Sequence, residues 1–165
     1  MKTMRLLAFG AALALASTPA RPATANIYPE PTQAHSDISA ALHSAAASHK
    51  RVILDFGGNW CADCIVLDRY FHDAQNAPIV KVNFVVVHVN IGHMDANVDI
   101  AERYGIPLRK GVPALAVLES NGKLLYSQST GQFEKMRQLE SSALTQFLIK
   151  WKPVKPGCSV VNANC

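Results

Sequence analysis

The sequence predicts an α/β fold in which a central mixed sheet is flanked by helices. Two short, continuous apolar segments, Val52–Phe56 and Phe84–Ile91, alternate with segments of helical periodicity and indicate strands that are covered on both faces. Further along, Ala114–Leu118 and Leu124–Ser127 flank the turn Ser-Asn-Gly-Lys, which predicts an antiparallel hairpin. Parallel pairing of the first strands and antiparallel pairing of the last ones would give the mixed sheet.

The first 25 residues have the pattern of a secretory signal peptide. Lys2 and Arg5 precede the apolar run Leu6–Ala16, and small residues and prolines follow it up to Ala25. The run is shorter than the about 20 apolar residues that a membrane-spanning helix needs. We therefore expect cleavage after Ala25, with Ala20 as the second choice, and a soluble mature chain that is periplasmic or secreted.

The charge of the mature chain does not support a nucleic-acid partner. Of its 165 residues, 16 are basic and 12 are acidic, but Lys2, Arg5 and Arg21 lie in the predicted signal peptide, which leaves 13 basic residues. A nearly neutral mature chain gives no indication of a nucleic-acid partner. Its length of roughly 140 residues suits one domain with an ordinary core.

The mature chain begins with a Pro-rich stretch, residues 26–35, which lacks periodicity and is predicted to be a flexible lead-in. A first helix is expected to begin at Ser36 or Asp37, each of which can cap a helix. After the first predicted strand, Gly57-Gly58-Asn59 interrupts the pattern, and a second helix is expected to start at Cys61.

Three more helices complete the prediction. Pro78 marks a break before a short helix, and Asp95–Tyr104 is predicted to be a helix that Gly105 ends. The last helix places its apolar residues, from Leu139 to Trp151, along one face.

A tail at residues 153–165 contains Cys158 and Cys165. In an oxidising compartment these two cysteines predict a local structural disulfide, which would stabilise the chain by roughly 2–3 kcal/mol. The alternatives are a regulatory or second redox pair, or cysteines that pair with another chain.

The stretch "DFGGNWCADC", from Asp55 to Cys64, carries the predicted chemistry. A Cys-x-x-Cys spacing alone serves zinc sites and dithiol chemistry equally. The pair follows the strand that ends at Phe56, and sites in open α/β sheets form at such carboxyl ends. A helix N-terminus favours a thiolate, so Cys61 is predicted to be the nucleophile. Cys64, one turn further in, is predicted to be the resolving thiol.

Polar and aromatic neighbours of the cysteines extend this predicted site. Asp55 is unusual in an apolar strand, and a buried carboxylate there could take a proton from Cys64 through water; the alternative is a solvated aspartate at an edge. His88 could contact Asp55 across adjacent strands, or could simply be a satisfied core residue. Trp60 is expected to shield the thiols and to bind substrate, although aromatic residues also pack cores.

The segments "VILDFGGNWCADC" and "GVPA", at 111–114, resemble the thioredoxin superfamily. Within it, the chain looks closer to periplasmic thioredoxin-like domains and secreted disulfide-isomerase-like proteins than to cytosolic thioredoxin. The resemblance covers residues 52–151 and implies a thioredoxin-like domain over 36–152. It also implies that Pro113 is cis and faces the cysteines, and that Val112 docks the backbone of an extended substrate.

The expected activity is thiol–disulfide exchange with protein substrates, without a cofactor or a bound metal. Ala62-Asp63 replaces the Gly-Pro of thioredoxin, and a carboxylate this close to Cys61 disfavours its thiolate. This predicts a reductase or isomerase bias and a membrane electron-transfer partner that keeps the protein reduced. The alternative is a thioredoxin-fold carrier of copper or zinc that uses the same cysteines and a histidine such as His72, although no second Cys-x-x-Cys supplies zinc's usual ligands.

Overall fold

The computed structural model describes residues 26–154. The predicted signal peptide and the predicted pair Cys158 and Cys165 therefore lie outside the described residues. Over the described range, none of the helices has the length and apolar character required to cross a bilayer.

Within the described residues, four strands form one mixed sheet in the order β2-β1-β3-β4. Their bounds are β1 (Arg51–Gly57), β2 (Phe84–Asn90), β3 (Ala114–Leu118) and β4 (Leu124–Ser127). β1 pairs in parallel with β2 and antiparallel with β3, and β3 pairs antiparallel with β4. The predicted mixed sheet and its hairpin are confirmed.

The two apolar strands differ in burial. Central β1 is buried from its second residue to its end, as its continuous apolar pattern predicts. β2 lies at an edge of the sheet and alternates between buried and half-buried positions, so the prediction that it is covered on both faces is wrong. Its valines are compatible with this place because β-branched residues suit a half-buried pleated surface.

In this part of the chain, residues 26–154, five α-helices surround the sheet: α1 (Ala34–Ser48), α2 (Ala62–Phe71), α3 (Ala77–Asn83), α4 (Val98–Arg103) and α5 (Ser141–Trp151). Helices α1 and α4 pack with Val52, Leu54 and Phe56 on one face of the sheet. Helices α2 and α5 pack with Ile53 on the other face. Because successive side chains of β1 point to opposite faces, the strand contributes to both hydrophobic cores and lies between them.

Several helix boundaries differ from the predicted ones. Helix α1 begins at Ala34, directly after a 3-10 turn, and not at Ser36 or Asp37. Helix α4 begins at Val98 and not at Asp95, because Asn97 has a left-handed backbone with φ 53°. Such a residue cannot continue a right-handed helix.

Residues 26–33, which we call the N-terminal segment, pack against the domain. Tyr28 is only 1% exposed and belongs to the core beside α1. The backbone of the segment forms hydrogen bonds with the side chains of Asn59, Asn90 and Asn97. The prediction of a flexible lead-in is wrong because a single aromatic ring and three asparagines fix this otherwise Pro-rich stretch.

Candidate active site

Cys61 and Cys64 form a disulfide at the N-terminus of α2, with their Cα atoms 5.2 Å apart. Cys61 is the N-cap residue of α2, not its first helical residue as predicted, since its backbone is extended (φ −88°, ψ 108°). Its Sγ accepts a hydrogen bond from the Cys64 N–H at 3.2 Å. In the reduced protein the same donor, at the positive end of the helix, would stabilise a thiolate on Cys61.

The two sulfurs differ in access. Cys61 is 6% exposed, whereas Cys64 is completely buried. An incoming disulfide can therefore meet Cys61 before it meets Cys64. This difference agrees with the predicted order of attack.

The loop before β3 faces the cysteines. The Val112–Pro113 peptide bond is cis, and the Val112 carbonyl oxygen lies 3.6 Å from Cys61 Sγ. The buried side chain of Gln128 supports this loop, since its Nε2 donates to the Pro113 carbonyl oxygen at 3.1 Å and its Oε1 accepts from the Leu115 N–H at 3.2 Å. Gln128 is not predicted as a site residue from the sequence, where it stands out only as a polar residue directly after β4.

Trp60 lies on the surface beside the disulfide. Its side chain is among the exposed large hydrophobic groups, with 47% exposure. The indole N–H donates to the Gly92 carbonyl oxygen, and the ring stacks on His93 with centroids 5.8 Å apart. Trp60 therefore presents an exposed aromatic face next to Cys61 and is not part of the hydrophobic core.

Asp55 is fully buried at the end of β1 that leads to the cysteines. Its Oδ2 accepts a hydrogen bond from the Tyr28 hydroxyl at 2.7 Å and lies 2.9 Å from His88 Nδ1. Its Oδ1 has no hydrogen-bond partner within residues 26–154. The alternative of a solvated aspartate is excluded, and the contact with His88 across adjacent strands is present.

The pair of Asp55 and His88 sits among other titratable groups. On the other side of the imidazole, His88 Nε2 lies 3.5 Å from Asp68 Oδ1. Burial opposes a charge on His88, but its hydrogen bond to Asp55 and the charges of Asp55 and Asp68 outweigh burial and raise the pKa of His88 above 6.5. Burial, and then the charge of Asp55, raise the pKa of Tyr28 well above 10.0, so that its hydroxyl keeps its proton.

Asp63, between the two cysteines, is paired with Arg137. The carboxylate accepts the Arg137 backbone N–H at 2.8 Å and contacts its guanidinium at 3.1 and 3.2 Å. Burial opposes ionisation of Asp63, but the hydrogen bonds and charge of Arg137 lower its pKa below 3.8. The sequence alone gave this carboxylate no partner; Arg137 offsets its charge and so weakens its predicted effect on Cys61.

The donor set that a metal carrier would need is not assembled in the described part of the chain. Across residues 26–154, the structure has no cluster of three or more His, Cys, Asp or Glu side chains that could hold a metal ion. His72, the histidine suggested for a carrier, lies at the end of α2 away from the cysteines. Its Nδ1 is 2.8 Å from the Asp68 carbonyl oxygen.

Comparisons with known proteins agree with this geometry. The thioredoxin-like family model matches residues 33–120. A solved structure of a disulphide isomerase from Xylella fastidiosa Temecula1 is 31% identical, with a TM-score of 0.73 over 78% of this chain and 98% of that one. No curated protein sequence matches the chain significantly.

Two weaker likenesses have TM-scores below 0.5. The C-terminal domain of Neisseria meningitidis DsbD is 18% identical, with a TM-score of 0.48, and the match covers 70% of this chain and 95% of that one. A mutant thioredoxin from Halobacterium salinarum NRC-1 is 20% identical, with a TM-score of 0.45 over 66% of this chain and 80% of that one.

Proposed function

The chain belongs to the thioredoxin-like family and is a thiol–disulfide oxidoreductase, and we propose that it exchanges disulfides with protein substrates outside the cytoplasm. The observation that carries the proposal is the Cys61–Cys64 pair at the N-terminus of α2, opposite the loop of Val112 and Pro113. Helix and loop together surround one sulfur that an incoming disulfide can reach.

The reaction follows from the different access to the two sulfurs. In the reduced protein, the Cys61 thiolate attacks a substrate disulfide, forms a mixed disulfide and releases one substrate thiolate. Cys64 then loses its proton and attacks Cys61 Sγ, which restores the Cys61–Cys64 disulfide and releases the second substrate thiolate. Two electrons pass from the protein to the substrate, and Asp55 is the proposed acceptor of the Cys64 proton.

The surface around Cys61 suits an extended polypeptide. Trp60 offers an exposed aromatic face on one side of the disulfide, and the Val112–Pro113 loop offers backbone on the other. We propose that Trp60, Val112 and Pro113 bind the substrate chain beside its disulfide. Backbone contacts of this kind would accept many different sequences.

The direction of disulfide exchange and the cellular compartment also belong to the proposed function. The sequence pattern of residues 1–25 supports export, and the similar protein from Xylella fastidiosa is a disulphide isomerase. We propose a reductase or isomerase that a membrane electron-transfer partner keeps reduced, because extracytoplasmic compartments are kept oxidising.

Trapping experiments test the roles of the two cysteines. Cys64→Ala should accumulate a mixed disulfide with a disulfide-bonded substrate protein, and Cys61→Ser should accumulate none, because only Cys61 can be reached by the substrate. Non-reducing electrophoresis and mass spectrometry detect the adduct. Equal trapping by both variants would refute the assignment, and one equivalent of copper or zinc bound by the purified wild-type protein, lost in Cys61→Ser, would favour the carrier instead.

A further inference from the structure

We propose that the Tyr28 hydroxyl relays the proton of Cys64 to Asp55 during resolution of the mixed disulfide. The proposal rests on the function proposed above and assigns a role to the N-terminal segment. The sequence indicated a relay through water, whereas the structure places a phenol beside the sulfur.

Gly57, the last residue of β1, shows how close the phenol and the sulfur are. A Cβ atom on Gly57 would lie 2.5 Å from Tyr28 Oη and 2.8 Å from Cys64 Sγ. The separation of the hydroxyl and the sulfur therefore cannot exceed the sum of these two distances. Because residue 57 is a glycine, the phenol can occupy the space next to the buried thiol.

Hydrogen bonding orients the hydroxyl for the transfer. Tyr28 Oη donates its proton to Asp55 Oδ2 at 2.7 Å, which leaves the lone pairs of the oxygen free to accept from the Cys64 thiol. The backbone of Tyr28 is fixed by both ends of the Asn59 side-chain amide, at 2.8 and 3.0 Å. Asn59, which lies shortly before Cys61 in the chain, thus helps to hold Tyr28 and its hydroxyl in place.

The transfer balances within the protein. The Cys64 S–H bond breaks and its proton passes to Tyr28 Oη, while the original Tyr28 proton passes to Asp55. Tyr28 is neutral before and after the step, Asp55 becomes a carboxylic acid, and Cys64 becomes the thiolate that attacks Cys61 Sγ. No oxidant or further reactant is needed beyond the mixed disulfide itself.

Four side chains from three elements face Tyr28. They are Asp55 on β1, His88 on β2, and Cys64 with Asp68 on α2. The imidazole of His88 packs edge-on against the Tyr28 ring, with centroids 5.1 Å apart. Burial and the charge of Asp55 raise the pKa of Tyr28, so the phenol keeps its proton and can pass one on only by accepting another in the same step.

The test is single-turnover kinetics of the reduced full-length chain with a peptide that contains one disulfide. Tyr28→Phe keeps the buried ring and removes the hydroxyl, so resolution of the mixed disulfide near pH 7 should slow by about 10- to 100-fold, while its formation by Cys61 stays unchanged. As the pH rises, hydroxide can take the Cys64 proton directly, and the two proteins should converge. Tyr126→Phe, which also loses one hydroxyl contact, should match wild type.

Three outcomes would overturn the relay. They are equal resolution rates in Tyr28→Phe and wild type near pH 7, a uniform slowing of both steps at every pH, or an Asp55→Asn, Tyr28→Phe double variant in which the two losses multiply. If wild type exchanges no disulfide at all, the proposed function fails instead. Should Tyr28→Phe not fold, wild type in H₂O/D₂O mixtures decides, because two moving protons give a curved dependence of the resolution rate on deuterium fraction and one gives a straight line.

Discussion

At the residue scale, the charge next to the nucleophile is set by a pair of side chains. Asp63 stands between the cysteines, but Arg137 binds it through both its backbone and its guanidinium. The guanidinium is largely exposed, so solvent and salt screen the pair. Cys61 therefore lies next to a partly neutralised carboxylate at the positive end of α2.

Arg137→Ala should raise the pKa of Cys61, because it leaves the Asp63 carboxylate with a backbone partner alone. The rate of alkylation of the reduced protein by iodoacetamide, measured against pH, reports the pKa. The couple should also become more reducing in equilibrium with glutathione. Arg103→Ala, on α4, is the matched control, and an equal shift in that variant would mean that only net charge is being measured.

Local sequence was sufficient to predict some of the site residues and not others. Cys61, Cys64, Pro113 and the Asp55–His88 contact follow from a motif and from the register of neighbouring strands. Tyr28, Gln128 and Arg137 come from separate segments of the chain. They contact the site through tertiary contacts that no motif or spacing in the sequence predicts. The predicted influence of Asp63 was incomplete for the same reason, since Arg137 was not foreseeable.

At the element scale, the N-terminal segment behaves as part of the domain. It has no strand or long helix of its own, and its place is fixed by side-chain hydrogen bonds and by the ring of Tyr28. Proline content predicted flexibility because it describes only the segment's own backbone. By contrast, the β3–β4 hairpin was predicted with its observed bounds, since its turn is encoded locally.

Asn59→Ala should release the N-terminal segment and destabilise the protein by about 1–3 kcal/mol, because two partly buried hydrogen bonds to the Tyr28 backbone are lost. Urea unfolding measures the loss, and hydrogen exchange should show weaker protection at residue 28. Asn121→Ala, in the exposed β3–β4 turn, should change stability by no more than about 0.5 kcal/mol. A smaller loss in Asn59→Ala than in this control would mean that the segment is held mainly by its ring.

At the scale of the whole molecule, an acid–base pair lies between the hydrophobic cores of the domain. β1 separates two hydrophobic cores, and Asp55 is its one charged residue among the buried positions. His88 then connects this carboxylate to the edge strand and to Asp68 on α2. The pair therefore couples the stability of the fold to pH.

His88 should stabilise the fold most at acidic pH. Its folded pKa is raised above the value of 6.5, so its contribution is fully present below about pH 6.5 and is lost as the pH rises through the folded pKa. The difference in free energy of unfolding between wild type and His88→Gln should therefore shrink from pH 6 to pH 9. A difference that grows over this range would contradict the raised pKa.

The close packing at Gly57 restricts which residues homologous chains can carry at positions 57 and 28. A side chain at position 57 and a phenol at position 28 compete for the same space beside Cys64, so position 57 cannot carry a larger residue while Tyr28 is kept. A homologous chain with alanine or a larger residue at position 57 should have lost the tyrosine, and one that keeps the tyrosine should keep the glycine. This pair of positions would let the proton route be traced through a set of sequences before any protein is purified.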